Sequence, residues 1–502
     1  MKAHRLRETS IVGALRALAP IAVLAFVAGC SATAPAPTAA IAVSGYRADE
    51  HATEAFAPDN GSAFPVVSVV VEIVEGLVSE PVMRPVSSLH RLFFLAVNTT
   101  VDLVKPASLL PVTGGPVPPL ANGPGMDLEA WERKLDALTG TTASRGTMRF
   151  LVDGDAFFPA LTDAVVGARS SVDLRMYIFD TDDYATAFAD LLKRRSKDVE
   201  VRVLVDGLGT TLAAGTNPET MPRDFEQPGS IAAYLRDGSD VAVRVQSNPW
   251  LTGDHSKTFI VDRQVAFIGG MNIGREYRYD WHDLMVEVRG PVVGDLDREF
   301  QRTWSRSGPF GELAYLISAL RPKSGAESGD GPPIRTLYTK TGDSQIYRAQ
   351  LAAIRAAKRY IHIENPYFSD DEILAELVAA RRRGVDVRVI LPSRNDSTVM
   401  DHSNVVAANA MFRNGIRVFL YPGFTHVKAA IYDGWACLGS ANLDKLSLRV
   451  NEELNLATSH RETVQALQER VFEADFEKSV EMTEPLPEGL AQRLAAFVAN
   501  QL

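Results

Sequence analysis

The sequence predicts an α/β fold built from two copies of one unit. Three observations carry this prediction. Apolar strand-like runs alternate with amphipathic segments of helix length, the pattern of βα units. The run VEVRVLVD at 199–206 returns as VDVRVILP at 385–392, so that Val203 corresponds to Val389. The pattern H-x-K-x-x-x-x-D occurs twice, as HSKTFIVD at 255–262 and HVKAAIYD at 426–433. Each copy is followed by an apolar strand and a glycine-containing turn, at Gly269–Asn272 and Gly439–Asn442.

The elements follow in order. In the first copy a helical pattern over Phe157–Arg169 leads into a strand at Val172–Phe179. A helix over Tyr184–Arg195 and the strand 199–206 come next. In the second copy Ile346–Lys358 reads as helix, Tyr360–Glu364 as strand, Asp371–Arg383 as helix and 385–392 as strand. The stretch KSGAESGDGPP at 323–333 has the composition of a linker. The two halves are therefore expected at 126–322 and 334–502. Only two copies are visible, so the repeat signals duplication and not a solenoid.

The chain has 502 residues, 46% hydrophobic and 23% charged, with two cysteines and a formal charge of −10. These values exclude a disulfide scaffold, a polytopic membrane protein and wholesale disorder. The acidic balance argues against broad nucleic-acid binding. Lys2, Arg5 and Arg7 precede an apolar run over Ala17–Gly29 that ends in Val-Ala-Gly-Cys at 27–30. That run is too short to span a bilayer and fits a secretory signal. The ending resembles a bacterial lipobox, so residues 1–29 are expected to be a lipoprotein signal peptide and Cys30 the lipidated residue. The 29 residues carry four Lys/Arg and one Glu, so their removal leaves −13. Ser31 after the cysteine resembles lipoproteins sent to the outer membrane. Residues 30–125 read as an Ala/Pro-rich tether, an apolar segment over 64–104 and a Pro/Gly linker.

The paired motif carries the chemistry. Residues i and i+2 of a strand face one side, so His255 projects with Lys257 and His426 with Lys428. If the two copies meet face to face, two imidazoles and two ammonium groups converge, with the Asn272 and Asn442 amides as neutral donors. Such a positive, donor-rich cluster suits a phosphodiester on which charge develops. One neutral His can attack phosphorus, while a protonated one serves the leaving and entering oxygens. A zinc site is disfavoured, because lysine is not a typical ligand and no Cys/His cluster has ligand spacing.

With these motifs the chain resembles the phospholipase D superfamily, and its flanks resemble bacterial cardiolipin synthases. The flanks are HSKTFIVDRQVAFIGGMNIGREY with WHDLMVEVRGPVV, the strand IENPYF, and GSANLDKLSLRVNEELNL. The resemblance covers about 126–480. It implies two α-β-α sandwich halves sharing one central active site, and no metal or other cofactor. It implies His255 as nucleophile and His426 as general acid/base. Lys257, Lys428, Asn272, Asn442 and Ser440 are implied as phosphate ligands, with Gly270 standing where Ser440 stands in the second copy. Asp262 and Asp433 belong to the catalytic motif, as braces of the loop more than as phosphate contacts. Asp283 and Glu453, 28 and 27 residues after the histidines of their own copies, match the carboxylates that orient the imidazoles.

The expectation is thus a phosphatidyltransferase or phosphodiesterase acting on glycerophospholipids through a phosphohistidine, most like cardiolipin synthase, with phosphatidylglycerol as the suspected substrate. The same site with water as acceptor is a phospholipase D. A periplasmic nuclease and a non-catalytic lipid-binding envelope protein are the other classes. The expected venue is the bacterial cell envelope, lipid-anchored in the periplasm at a phospholipid membrane, with no nucleic-acid partner. His362, His402, Trp281 and Trp304 are read as structural, and Cys437 as a small buried hydrophobe.

Overall fold

A computed structural model describes residues 116–213, 218, 220–222, 224–246, 253–308, 311, 330–340, 342–489, 492 and 496. The expected signal peptide, Cys30 and the apolar segment lie outside these residues, as does most of the linker between the halves.

Two sheets carry the chain. A short β1 (Ser144–Arg145) precedes the first, which contains β2 (Thr147–Val152), β3 (Ser171–Met176), β4 (Glu200–Asp206), β5 (Ala242–Gln246), β6 (Thr258–Val261), β7 (Val265–Gly269) and β8 (Leu284–Arg289). Its order is β2-β8-β7-β6-β3-β4-β5. The second contains β9 (Pro333–Lys340), β10 (Asp343–Ser344), β11 (Tyr360–Glu364), β12 (Asp386–Pro392), β13 (Arg417–Tyr421), β14 (Ala429–Tyr432), β15 (Trp435–Gly439), β16 (Glu453–Thr458) and β17 (Val480–Glu481). Within it β9-β16-β15-β14-β11-β12-β13 repeats the first order strand for strand, with β1, β10 and β17 as additions. In each sheet three strands are parallel, β3-β4-β5 and β11-β12-β13, and the rest antiparallel.

Local chemistry fixes the crossovers the same way twice. The helix Asp183–Arg195 starts where the Asp182 carboxylate accepts from Ala185 N, and the helix Asp371–Arg382 where Asp370 accepts from Ile373 N. Basic residues close both, suiting the negative helix end. The apolar residues of each helix pack on the central strands, Phe188 and Leu192 in one case, Leu374 and Leu377 in the other. A third apolar cluster lies between the sheets and mixes Ile260, Ile268 and Val286 with Ile431, Leu438 and Leu456. There β7 packs against β15 and β16. The halves therefore form one body around a shared core, with the helices Leu128–Thr139, Gln345–Ala356 and Asp371–Arg382 beyond the second sheet and Asp153–Gly167 and Asp183–Arg195 beyond the first.

One boundary differs from expectation. The helix Leu128–Thr139 precedes the first half in sequence yet packs into the second. Trp131 meets Trp435 edge to face at 5.2 Å, and Leu135 joins the same core. Arg335 of β9 reaches Glu132 and Asp136 at 3.1 and 2.6 Å. β1 pairs with β9 as well. The first half thus begins near β2, not at residue 126. An indole, a leucine and two acids on one helix face fit a site that offers a tryptophan and a buried arginine.

Candidate active site

The backbone brings the two motifs together at the seam between the halves. Asp254 pairs with Glu452 and His282 with Thr425 in two short parallel bridges that cross from one half to the other. His255 N donates to Glu452 O at 2.9 Å, and His426 N donates to His282 O at 2.7 Å. The motif residues 255–257 and 426–428 run extended into β6 and β14 without belonging to those strands. Each lysine folds back on its own motif: Lys257 Nζ donates to His255 O and Lys428 Nζ to His426 O, both at 2.8 Å.

Each histidine meets a carboxylate of the opposite half. His255 Nδ1 lies 3.0 and 3.1 Å from the two oxygens of Glu453, and His426 Nδ1 lies 2.7 Å from Asp283 Oδ2. Sequence spacing assigns Asp283 to the copy that contains His255, and Glu453 to the copy that contains His426. The fold exchanges them, because β8 and β16 each begin beside the other half's motif loop at the seam. With Nδ1–H given to a carboxylate, the lone pair of each ring sits on Nε2.

Burial sets the electrostatics. It holds the His255 imidazolium below its usual range, with Glu453 opposing and Lys257 adding to the effect. His426 is pushed down further, by burial and then by Lys428 and Lys257. Burial lowers Lys257 to about 7 and Lys428 to about 8, and raises Asp283 to about 7. Two ammonium groups and two imidazoles are crowded into one buried site, and each cation is easier to discharge for that reason. The Asp283–His426 pair takes up a proton close to neutrality.

The residues expected to hold phosphate are placed in three ways. Lys257 and Lys428 are at the site, buried. Ser440 is there too, but its hydroxyl donates to Glu453 Oε2 and accepts from Leu454 N at 3.0 Å. It braces the carboxylate in this structure. Gly270, its counterpart, has no room for a side chain: a Cβ there would lie 2.2 Å from Asp283 Oδ1. The first copy thus lacks the hydroxyl because the carboxylate fills its place. Asn272 accepts from Ile178 N at 3.0 Å and donates to Tyr277 Oη at 2.8 Å. Asn442 is buried, and its Oδ1 has no hydrogen-bond partner among the described residues. Residue 366 is a proline, and the nearby Tyr367 N is already given to Asn365.

Asp262 and Asp433 stand apart from the imidazoles, as corrections to their place among catalytic residues. Asp262 accepts from the backbone N–H groups of Arg169, Ser170 and Ser171. Those bonds outweigh burial and hold its carboxyl below the usual range. Asp433 accepts from Lys358, Arg359 and Tyr360 N, and also from Met126 N at 2.8 Å. Both adopt left-handed backbone, φ 53 and φ 50, at the hairpin turn. That strain is small against three or four charge-assisted bonds apiece.

Several neighbours of the site are read from the sequence as structural, as Trp281 is, or carry no signal there. Trp281, Phe424 and Tyr277 surround the His426 ring at centroid distances of 5.3, 5.7 and 5.8 Å, and Tyr177 meets His255 at 5.0 Å. Trp281 therefore packs, as expected, but against the His426 imidazole. A buried Arg175 binds Asp254 at 2.7 Å and Glu452 at 2.9 Å. The signal available in the sequence was a charged residue immediately before each orienting carboxylate, His282 before Asp283 and Glu452 before Glu453. His362, by contrast, bonds Gln468 and packs on Phe476 and Phe472, a structural role.

The comparisons agree with this architecture. A family model described as cardiolipin synthase, phospholipase D-like domain, matches residues 161–304 and 351–476. Cardiolipin synthase A of Pseudomonas entomophila (strain L48) is 32% identical over 358 residues, covering 67% of this chain and 70% of that protein. Cardiolipin synthase A of Pseudomonas aeruginosa (strain LESB58) is 33% identical over 361 residues, covering 68% and 69%. The crystal structure of phosphatidylserine synthase from Haemophilus influenzae Rd KW20 superposes with a TM-score of 0.59 at 13% identity, over 74% of this chain and 100% of that one, a likeness of fold.

Proposed function

The chain belongs to the phospholipase D-like family of cardiolipin synthases, and we propose that it transfers phosphatidyl groups between glycerophospholipids through a phosphohistidine on His255. The observation that carries this reading is the crossed pairing of His255 with Glu453 and of His426 with Asp283, over two lysines. It leaves two Nε2 atoms free for one phosphorus and gives them unequal partners.

In the first step His255 Nε2 attacks phosphorus, the bond to the headgroup oxygen breaks, and His426 gives that oxygen a proton. The incoming phosphodiester anion offsets the charge of Lys257 and Lys428, which raises the affinity of His426 for the proton it must deliver. In the second step the acceptor hydroxyl loses its proton to His426 and displaces His255 from phosphorus. Phosphatidylglycerol as donor releases glycerol. A second phosphatidylglycerol as acceptor gives cardiolipin, and water gives phosphatidic acid.

The amino-terminal sequence supports a lipid-anchored protein, with residues 1–29 as signal peptide and Cys30 as attachment point, facing the periplasm and favouring the outer membrane. Radiolabelled fatty acid incorporated by the wild type and lost in Cys30→Ser tests the anchor. The activity is tested by incubating the full-length protein with phosphatidylglycerol vesicles. Cardiolipin plus glycerol is the expected outcome. Phosphatidic acid would replace the transferase by a hydrolase, and no product with several phospholipids would overturn the reading.

A further inference from the structure

Beside Asp283 lies a buried charged group that the proposed chemistry does not use. His282 is 6% exposed. Its Nδ1 is 2.7 Å from Asp153 Oδ1, and its Nε2 is 2.9 Å from Asp475 Oδ2 and 4.0 Å from Glu364 Oε1. A ring that faces a carboxylate on both nitrogens must donate from both, so it is an imidazolium. Tyr421 stacks on it at 4.7 Å, and Lys478 holds the other oxygen of Asp475 at 3.1 Å. Glu364 Oε1 takes the Thr425 hydroxyl at 2.5 Å, while its Oε2 has no donor among the described residues. A protonated carboxyl facing Asp475 meets that need, and burial with Asp475 raises Glu364 to about 8. Asp153 is drawn into left-handed backbone, φ 63, and also takes Asp283 N at 3.2 Å.

The same construction stands on the other side of the seam with the charges reversed. Glu452 occupies the position of His282, and Arg175 that of Glu364. The two form an ion pair across the halves at 2.9 Å, with Asp254 in the place of Thr425. In both groups the locked residue immediately precedes an orienting carboxylate. In both, its carbonyl accepts the N–H of the opposite half's motif histidine. Random burial of charge does not produce one lock per histidine, each on a residue that touches two members of the site.

We propose that His282 is a positioning residue: clamped between Asp153 and Asp475, it fixes the strand end that carries Asp283 and, through its carbonyl, the backbone of His426. Arg175–Glu452 does the same for Glu453 and His255. The inference rests on the phosphohistidine reading for its catalytic consequence, though the clamp itself does not. His282, Glu364 and Asp475 also lie close enough to hold a metal ion, with candidate ligand atoms within 4.8 Å of one another. The two carboxylate contacts, one on each ring nitrogen, favour the proton.

The test uses full-length protein, phosphatidylglycerol vesicles and histidine-labelled NMR spectra. In wild type, His282 stays protonated to beyond pH 8; burial opposes this, but the bonds to Asp153 and Asp475 hold it to about 10. His282→Gln and Asp475→Asn each lower kcat by about 10–100-fold, with KM within about twofold. Each also moves the limb of the pH–rate profile that reports His426, while Glu452→Gln moves the limb that reports His255. A His282 that titrates near its ordinary value overturns the proposal. So do variants with wild-type kcat and profile, and so does loss of activity on chelation restored by added zinc. If His282→Gln does not fold, the wild-type titration and Asp475→Asn decide. If wild type turns over no phospholipid, the functional reading fails, and the titration of His282 still judges the clamp.

Discussion

His426 Nδ1 lies 2.7 Å from Asp283 Oδ2, a contact between residues 143 positions apart and on different halves of the duplicated chain. His255 and Glu453 repeat it at a separation of 198. The orienting carboxylate of each histidine is therefore supplied from outside its own motif.

This exchange predicts which step each carboxylate serves. A phosphodiester with a good leaving group, such as p-nitrophenol, needs little acid help to leave. Asp283→Asn should then still form phospho-His255 in a burst but release it slowly, with steady-state turnover down by about 10²–10⁴-fold. Glu453→Gln should lose the burst itself. Stopped-flow traces and acid-quench labelling read both, and the opposite assignment would show the burst lost in Asp283→Asn.

Crowding at Gly270 predicts an asymmetry between equivalent positions. A Cβ at 270 meets Asp283 Oδ1 at 2.2 Å, so Gly270→Ala must displace the carboxylate from His426. Activity should fall by at least about 100-fold, while Ser440→Ala, which only removes a brace from Glu453, costs about tenfold. Equal effects in kinetic assays on folded variants would contradict this.

The buried lysines predict proton uptake on anion binding. With Lys257 near 7 and Lys428 near 8, lowered by burial, the empty site at pH 8 holds both ammonium groups only in part. A bound anion restores their charge, so inorganic phosphate should take up about one proton at pH 8 and far less at pH 6. Calorimetry in buffers of different ionisation heat measures it. Proton release, or uptake that falls as pH rises, would reverse the sign.

Metal removal should leave turnover unchanged, because the two lysine ammonium groups folded back on the motif histidines repel a divalent cation and lysine is not a typical ligand. Activity after exhaustive chelation is the measurement.

The helix Leu128–Thr139 predicts a stability effect in an unexpected half. Trp131→Ala removes a buried indole from the contact with Trp435 and should cost about 3–5 kcal/mol. Hydrogen exchange should show the loosening in β9 and β15 before β2 and β8.

Much of this was legible in sequence because it is local. The strands Ser171–Met176 and Glu200–Asp206 match readings from alternation and apolar runs to within a few residues. The same holds for the helices capped by Asp182 and Asp370. The motif residues His255, Lys257, His426 and Lys428 converge as duplication implies. What escaped was set by contacts of long separation. Spacing along the chain assigns Asp283 to the wrong imidazole, since nothing within 28 residues records which loop β8 meets. The helix Leu128–Thr139 reads as the start of whatever follows it, because the tryptophan it seeks lies some 300 residues on. Sequence leaves His282 open between a substrate contact and a neighbour with no catalytic role, and only the fold brings three acids from three other elements around it. The resemblance implies Ser440 as a phosphate ligand, and only the nearness of Glu453 shows where its proton goes.

The bond from Met126 N to Asp433 Oδ2 has a mechanical consequence. The chain arriving from the amino-terminal side is fastened first to the second half, with Pro116 O accepting from Arg382 and Ala121 N donating to Gly384 O before Met126 reaches the turn between β14 and β15. Tension along that chain is borne by the second half, at the end of β14 remote from Lys428 and His426, while the half that comes first in sequence hangs behind it, second in the line of load.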